Sequence, residues 1–276
     1  KPLTSQSCSG NNCIWDIIKN SMRICLLGAG NVAVHLGKQL QAAGYTLVQV
    51  YSRTESSARS LAQALGCAWT NSLQSLGMAD YYLCALKDDA LPGALKQIPS
   101  FPGIWLHTSG SLGLEVFEPY TRKCGVLYPL QTFSRQRELN LNKVPFFIES
   151  LSPELLVEIH SMAEKLSERV YELDTARRSY LHLAAVFACN FSNHLYTLAA
   201  EILQEQGLSF ELLLPLIDET AGKVHEQSPK EAQTGPALRM DRNITDKHLA
   251  MLQSEPERAE LYSLLSESIF KSNKQV

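Results

Sequence analysis

Gly28-Ala29-Gly30-Asn31-Val32-Ala33 forms a G-x-G-x-x-A turn between an apolar run and an amphipathic stretch. In that context Gly28 permits a tight turn, Gly30 bares the main chain to a pyrophosphate, and Ala33 lets the following helix pack closely. Gly28, Ala29, Gly30, Asn31 and Val32 are the expected cofactor-binding residues, with the helix N-terminus supplying N–H donors and positive potential to the anion. About twenty residues on, where a carboxylate would select NAD by gripping the ribose diol, the sequence has Ser52 and Arg53. A hydroxyl and a guanidinium suit a 2′-phosphate, so NADP(H) is expected in preference to NAD(H). Arg53 also reads as a solvated loop residue.

Further strand ends supply the other candidates. Tyr81–Leu86 runs into Lys87-Asp88-Asp89, and the backbone at Ala85, Leu86 and Lys87 is expected to border the nicotinamide ribose. Asp88 or Asp89 is expected to cap the helix whose first turn holds Pro92. His107-Thr108-Ser109-Gly110-Ser111 and Tyr128-Pro129-Leu130-Gln131-Thr132-Phe133 place polar, turn-forming residues after apolar strands. Thr108 is assigned to the cofactor, and Ser109, Ser111 and Gln131 to a substrate; all equally fit turn chemistry.

The elements that position these residues follow from apolar patterning. Strands are expected at 23–27, 47–51, 81–86, 103–107, 125–128 and 144–148, with helices at 33–43, 56–65, 91–97 and 113–120. This is the β-α-β rhythm of a parallel sheet. Ser152-Pro153-Glu154 reads as a helix start, and beyond it the pattern is almost wholly helical. The expected organisation is an N-terminal extension (1–21), a Rossmann-type α/β domain (22–150) and an all-α domain (151–276) for substrate and dimerisation.

Composition narrows the class. Apolar residues make up 45% and charged residues 19%, a globular balance. Residues 22–150 carry 11 basic and 8 acidic side chains, and residues 151–276 carry 12 and 19. The acidic second half argues against a nucleic-acid surface. Seven cysteines at irregular spacing read as reduced thiols in a cytoplasmic protein, with no zinc-ligand pattern. Residues 179–200 lack charge but contain His182, Asn190, Asn193 and His194, so a buried helix or a homodimer face is expected and a membrane span is not.

Through Gly28–Ala33, His107–Ser111 and Tyr128–Phe133, the chain resembles Rossmann-like proteins with a C-terminal domain of unknown function, often assigned as NADP oxidoreductases. Tyr180–Ala185 with Asn190, then Thr234-Gly235-Pro236, Arg239, Asp241 and His248, extend the resemblance over roughly 22–255. The wider superfamily resembled includes 6-phosphogluconate dehydrogenase, 3-hydroxyisobutyrate dehydrogenase, ketopantoate reductase and pyrroline-5-carboxylate reductase. It implies a Rossmann domain joined to a helical, dimer-forming domain. Several members have a catalytic Lys one turn before an Asn. Here Asn190 matches the Asn and Val186 stands in the Lys position. Other members commonly have His where Tyr128 stands, so Tyr128 is given no essential protonation role.

His182, Val186 and Asn190 fall at i, i+4 and i+8, along one helical face. His182 is the candidate proton donor, since imidazole titrates near neutrality, and Asn190 the candidate orienting group. His182 among Leu181, Leu183 and Ala184 reads equally as a core histidine. Arg239 could clamp an anionic substrate or pair with Asp241. The expected function is oxidation or reduction of a small, anionic substrate held between the domains. The alternative is a catalytically inactive NADP sensor or scaffold, for which Val186 is the motive.

Overall fold

The computed structural model describes residues 21–274. The expected extension up to residue 20, with Cys8 and Cys13, lies outside them. The chain forms two compact units, one ending at Asn193 and the other beginning at His194.

The first unit is built on an eight-stranded sheet. Its first strand, β1 (Arg23–Leu27), is a continuous apolar run. Ile24 and Leu26 enter one core while Cys25 and Leu27 enter another, because successive strand side chains point to opposite faces. Both faces are therefore covered. Helices α1 (Asn31–Ala42) and α2 (Glu55–Leu65) bring Leu36, Leu40, Leu61, Ala62 and Leu65 to the first core. Spacings of three and four residues put these on one stripe of each helix.

The remaining strands are β2 (Thr46–Tyr51), β3 (Ala68–Thr70), β4 (Tyr81–Cys84), β5 (Ile104–His107), β6 (Cys124–Pro129), β7 (Phe146–Ser150) and β8 (Val170–Glu172). They lie in the order β3-β2-β1-β4-β5-β6-β7-β8. Pairing is parallel throughout except between β6 and β7. A short helix, α3 (Leu91–Leu95), follows β4. Helix α4 (Pro153–Glu164) starts as expected, with Ser152 accepting from the Leu155 N–H at 3.2 Å and Pro153 in the first turn.

Strands β3 and β8 were not among those expected, β8 being a three-residue exception in the stretch expected to be almost wholly helical. Two local expectations need correction. Residues 113–120 contain only a 3₁₀ turn at Leu114–Val116. Pro119 cannot donate a helical hydrogen bond, which explains why this segment stops short. Asp88 and Asp89 do not cap α3, whose N-cap position is Ala90 with no side-chain hydrogen bond.

Helix α5 (Thr175–Ala185) is capped by Asp174, which accepts from the Arg177 N–H at 2.8 Å. It runs directly into a π-helical segment, Val186–Phe191, and then α6 (Ser192–Glu205).

The second unit contains most of α6, then α7 (Leu214–Lys223), α8 (Pro236–Arg239), α9 (Arg242–Met251) and α10 (Pro256–Lys274). Arg258 gathers Glu201, Glu205 and Glu255 at 2.6–3.2 Å. Leu212, Leu216, Met251 and Leu264 remain exposed. No described helix is long and apolar enough to cross a membrane.

Candidate functional site

The glycine turn is shaped by the strand beside it. Gly28 has φ +125°, and a Cβ there would fall 2.3 Å from the Ala85 carbonyl oxygen. Only glycine meets both demands. Its N–H donates to the Tyr51 carbonyl at 2.8 Å, and the Ala85 N–H donates to Leu27 at 2.7 Å. The carboxyl ends of β1, β2 and β4 are thereby stitched around one turn. At Gly30, the residue preceding α1, a Cβ would meet nothing within 4 Å. That bare backbone opens onto space at the head of a 12-residue helix, whose first N–H groups have no intrahelical acceptors. The cradle fits a diphosphate.

Ser52 is half-buried and Arg53 exposed at the end of β2. Arg53 forms no ion pair among the described residues, so its charge is free for a ligand. Its proximity is felt by Tyr51, whose hydroxyl is pushed up by burial and drawn partly back by that cation. Thr108, at the end of β5, hydrogen-bonds through its N–H to the Cys84 carbonyl at 3.2 Å.

The loop after β6 closes on the same turn. Asn31 donates to the Phe133 carbonyl at 2.8 Å, His35 Nε2 lies 2.9 Å from the Ser134 carbonyl, and Arg135 donates to the Ala29 carbonyl. Sequence reasoning missed Arg135, because no local pattern links it to a residue 106 positions earlier.

This loop also forms one wall of a cavity of about 420 Å³. Tyr128, Leu130, Gln131 and Thr132 line it from the β6 side, and Leu181, His182, Ala185, Val186, Cys189 and Asn190 from the α5 and π-helical side. The expected face of His182, Val186 and Asn190 is thus brought to one cavity. The π-helical segment carrying Val186 and Asn190 was not anticipated; such single-turn features recur at functional sites. The Tyr128 hydroxyl lies 2.9 Å from His182 Nδ1. The Asn190 amide makes no hydrogen bond among the described residues and stays available to a ligand. Gln131 spends its amide oxygen on the Thr132 N–H at 2.8 Å.

Ser109 and Ser111, expected to meet a substrate, are engaged elsewhere. Both donate to Asp88 Oδ2, at 2.8 and 2.5 Å, and Ser109 Oγ also accepts from the Ser111 and Leu112 N–H groups. Asp88 therefore fixes the loop after β5. Arg239 belongs to the second unit, in α8, and shows no ion pair with Asp241.

Behind the cavity wall lies a buried charge network. Arg178 of α5 is fully buried and donates to Glu149 of β7, to the Leu112 carbonyl at 2.5 Å and to Thr175 Oγ1 at 3.3 Å. The Thr175 N–H and hydroxyl both donate to Glu149. This pair anchors the helix that carries His182 to the sheet and to the loop at 112. His107 is wholly buried nearby; its Nδ1 accepts from the Ser109 N–H at 3.2 Å, and Nε2 faces the Gly113 main chain without a well-formed bond. Burial, with the Arg178 charge, pushes its pKa down to about 4, so it is neutral at pH 7. No group of three or more His, Cys, Asp or Glu able to hold a metal occurs among the described residues.

Residues 23–104 match a family model described as NADP oxidoreductase, coenzyme F420-dependent, and residues 144–269 match one described as a domain of unknown function. A candidate NADP oxidoreductase from Bacteroides fragilis is 47% identical over 91% of this chain and 98% of its own, with a TM-score of 0.85. The chain belongs to this NADP oxidoreductase family. A Thermotoga maritima protein is 21% identical (TM-score 0.72), covering 88% of this chain and 98% of its own. A reductive aminase from Aspergillus terreus, in complex with NADPH and ethyl-5-oxohexanoate, is 15% identical (TM-score 0.71) over 93% of this chain and 95% of its own. At those identities the likeness is one of fold. Comparison with curated proteins finds no match.

Proposed function

We infer that this family member is a working oxidoreductase that uses NADP(H) in preference to NAD(H) and acts on a carbonyl or imine carbon seated in the cavity beside His182. The observation that carries this reading is the convergence of Tyr128, His182 and Asn190 on one largely apolar cavity. Nicotinamide, when bound, supplies or accepts the hydride. His182 gives a proton to the oxygen or nitrogen that gains electron density, and Asn190 orients that atom by hydrogen bonding. Ser52 and Arg53 hold the 2′-phosphate, and the bare turn from Gly28 to Val32 holds the diphosphate.

The cavity lining contains no Lys or Arg. A buried anion without a partner is strongly disfavoured, so a neutral substrate with an apolar body fits this cavity better than the small anion expected from sequence. The bound keto ester in the Aspergillus terreus reductive aminase supports this reading. Exposed Leu212, Leu216, Met251 and Leu264 support self-association through the second unit, and the free Cys25, Cys67, Cys84, Cys124 and Cys189 support a cytoplasmic site.

The test is NADPH oxidation across neutral ketones, cyclic imines and 2-oxo acids. Turnover on a neutral ketone or imine is expected, with His182→Gln lowering kcat by about 10²–10⁴-fold. Wild-type turnover in H182Q removes His182 from the mechanism. Tight NADPH binding with no turnover anywhere favours the sensor alternative.

A further inference from the structure

We propose that Tyr128 is a positioning residue, holding the His182 ring so that Nε2–H is the atom presented to the cavity. The proposal rests on the reading of His182 as proton donor. Tyr128 sits within β6 and is 7% exposed, so the sheet fixes its hydroxyl in place. That hydroxyl is 2.9 Å from His182 Nδ1, with the rings edge-to-face at 75° and 6.0 Å between centroids. His182 Nε2 makes no hydrogen bond with any described residue, which leaves it for a ligand.

The direction of the hydrogen bond follows from what each group can do. Burial pushes the phenol up to about 12, so it keeps its proton. The phenol hydrogen has no other acceptor among the described residues. It therefore donates to a bare Nδ1, and a neutral ring carries its hydrogen on Nε2. When the ring is protonated, the same oxygen accepts from Nδ1–H. A hydroxyl serves both states, whereas a carboxylate serves only the second. In reduction, bound NADPH would supply the hydride for the new C–H bond and become NADP+; the C=O or C=N π pair would move to the oxygen or nitrogen, which takes the proton released as the imidazolium Nε2–H bond breaks. The ring is left neutral with its hydrogen on Nδ1, still facing Tyr128, until solvent reprotonates Nε2. No reorientation is needed.

A second close approach confines the ring. A Cβ at Gly110 would fall 2.6 Å from His182 Nδ1 and 2.7 Å from Cγ. Bare backbone at 110 lets the imidazole lie against the loop after β5, which Asp88 holds rigid through Ser109 and Ser111.

The experiment is ¹⁵N NMR of histidine-labelled full-length protein without substrate, with the His182 signals assigned by their loss in H182Q. The wild type should show neutral His182 as the Nε2–H tautomer. Tyr128→Phe should populate both tautomers and, on whichever ketone or imine is turned over, lower kcat about tenfold with KM within twofold. If Y128F fails to fold, Gly110→Ala should displace the ring and give the same readout. An unchanged tautomer in Y128F overturns the proposal, as does a changed tautomer with wild-type kcat. Full turnover in H182Q would instead sink the donor reading. Because the tautomer is read without substrate, the two failures are separable.

Discussion

Gly28 and Gly30 belong to one motif, yet the structure assigns them different physical work, and two alanine variants separate it. At Gly28 an added Cβ meets the Ala85 carbonyl oxygen at 2.3 Å, and φ is +125°. The φ strain alone costs about 1–3 kcal/mol, and relieving the overlap requires β1 and β4 to part at their carboxyl ends. For a unit of this size, each kcal/mol lowers Tm by about 2–4 °C, so Gly28→Ala should lose at least several degrees. At Gly30, with φ −79° and nothing within 4 Å, alanine fits without strain. Its modest loss as a helix-preceding residue is offset by about 0.4–1 kcal/mol of unfolded-state entropy, so Tm should hardly move. The methyl nevertheless occupies the approach to the helix N–H groups. NADPH affinity, measured by calorimetry or nucleotide fluorescence, should fall about tenfold or more in Gly30→Ala. Wild-type NADPH binding by G30A would refute the placement of the diphosphate on this turn. Wild-type Tm in G28A would refute the packing argument.

Arg53→Ala should raise KM for NADPH about tenfold, the low end for a charge-assisted contact at an exposed side chain, and leave KM for NADH within twofold. Equal effects on both coenzymes would mean that Arg53 does not read the 2′-phosphate. His107 gives a pH signature. Its pKa falls from 6.5 to about 4 on folding, so the unfolded chain binds more protons between those values. Stability from the neutral ring is present above pH 6.5 and is lost as pH falls toward 4, with a slope of at most about 1.4 kcal/mol per unit. His107→Gln should flatten that segment of a urea-unfolding series; an unchanged slope assigns it to other groups.

Elements with strong local patterns were legible from the sequence. The apolar run of β1 and the glycine turn need little beyond their neighbours, and α4 announces itself through Ser152 and Pro153. The face of His182, Val186 and Asn190 was legible as well, although the π-helical turn that delivers Asn190 has no signature in its residues. What escaped was decided by partners far along the chain. Asp88 looks like a helix cap until Ser109 and Ser111, 21 and 23 residues away, claim its carboxylate. Nothing in the local sequence marks Arg178, which Glu149, 29 residues away, receives in the core. The three-residue strands β3 and β8 are too short for a two-residue period to stand out, and only the sheet edge beside them makes them strands.

The distribution of charge around the cavity explains why Val186 need not mean lost chemistry. Two charges near this wall are engaged away from it: Arg178 pairs with Glu149, and Asp88 accepts from two serine hydroxyls. The lining itself holds only neutral or titratable polar groups, Tyr128, Gln131, Thr132, His182 and Asn190, on an aliphatic surface. A lysine at 186 would place a permanent cation there and favour an anionic substrate. On the proposed reading, valine leaves the proton to His182, whose Nδ1 meets a phenol able to accept from a protonated ring and donate to a neutral one. Such a site stabilises charge only as it develops on the reacting oxygen or nitrogen, which is where catalysis gains most from a preorganised donor.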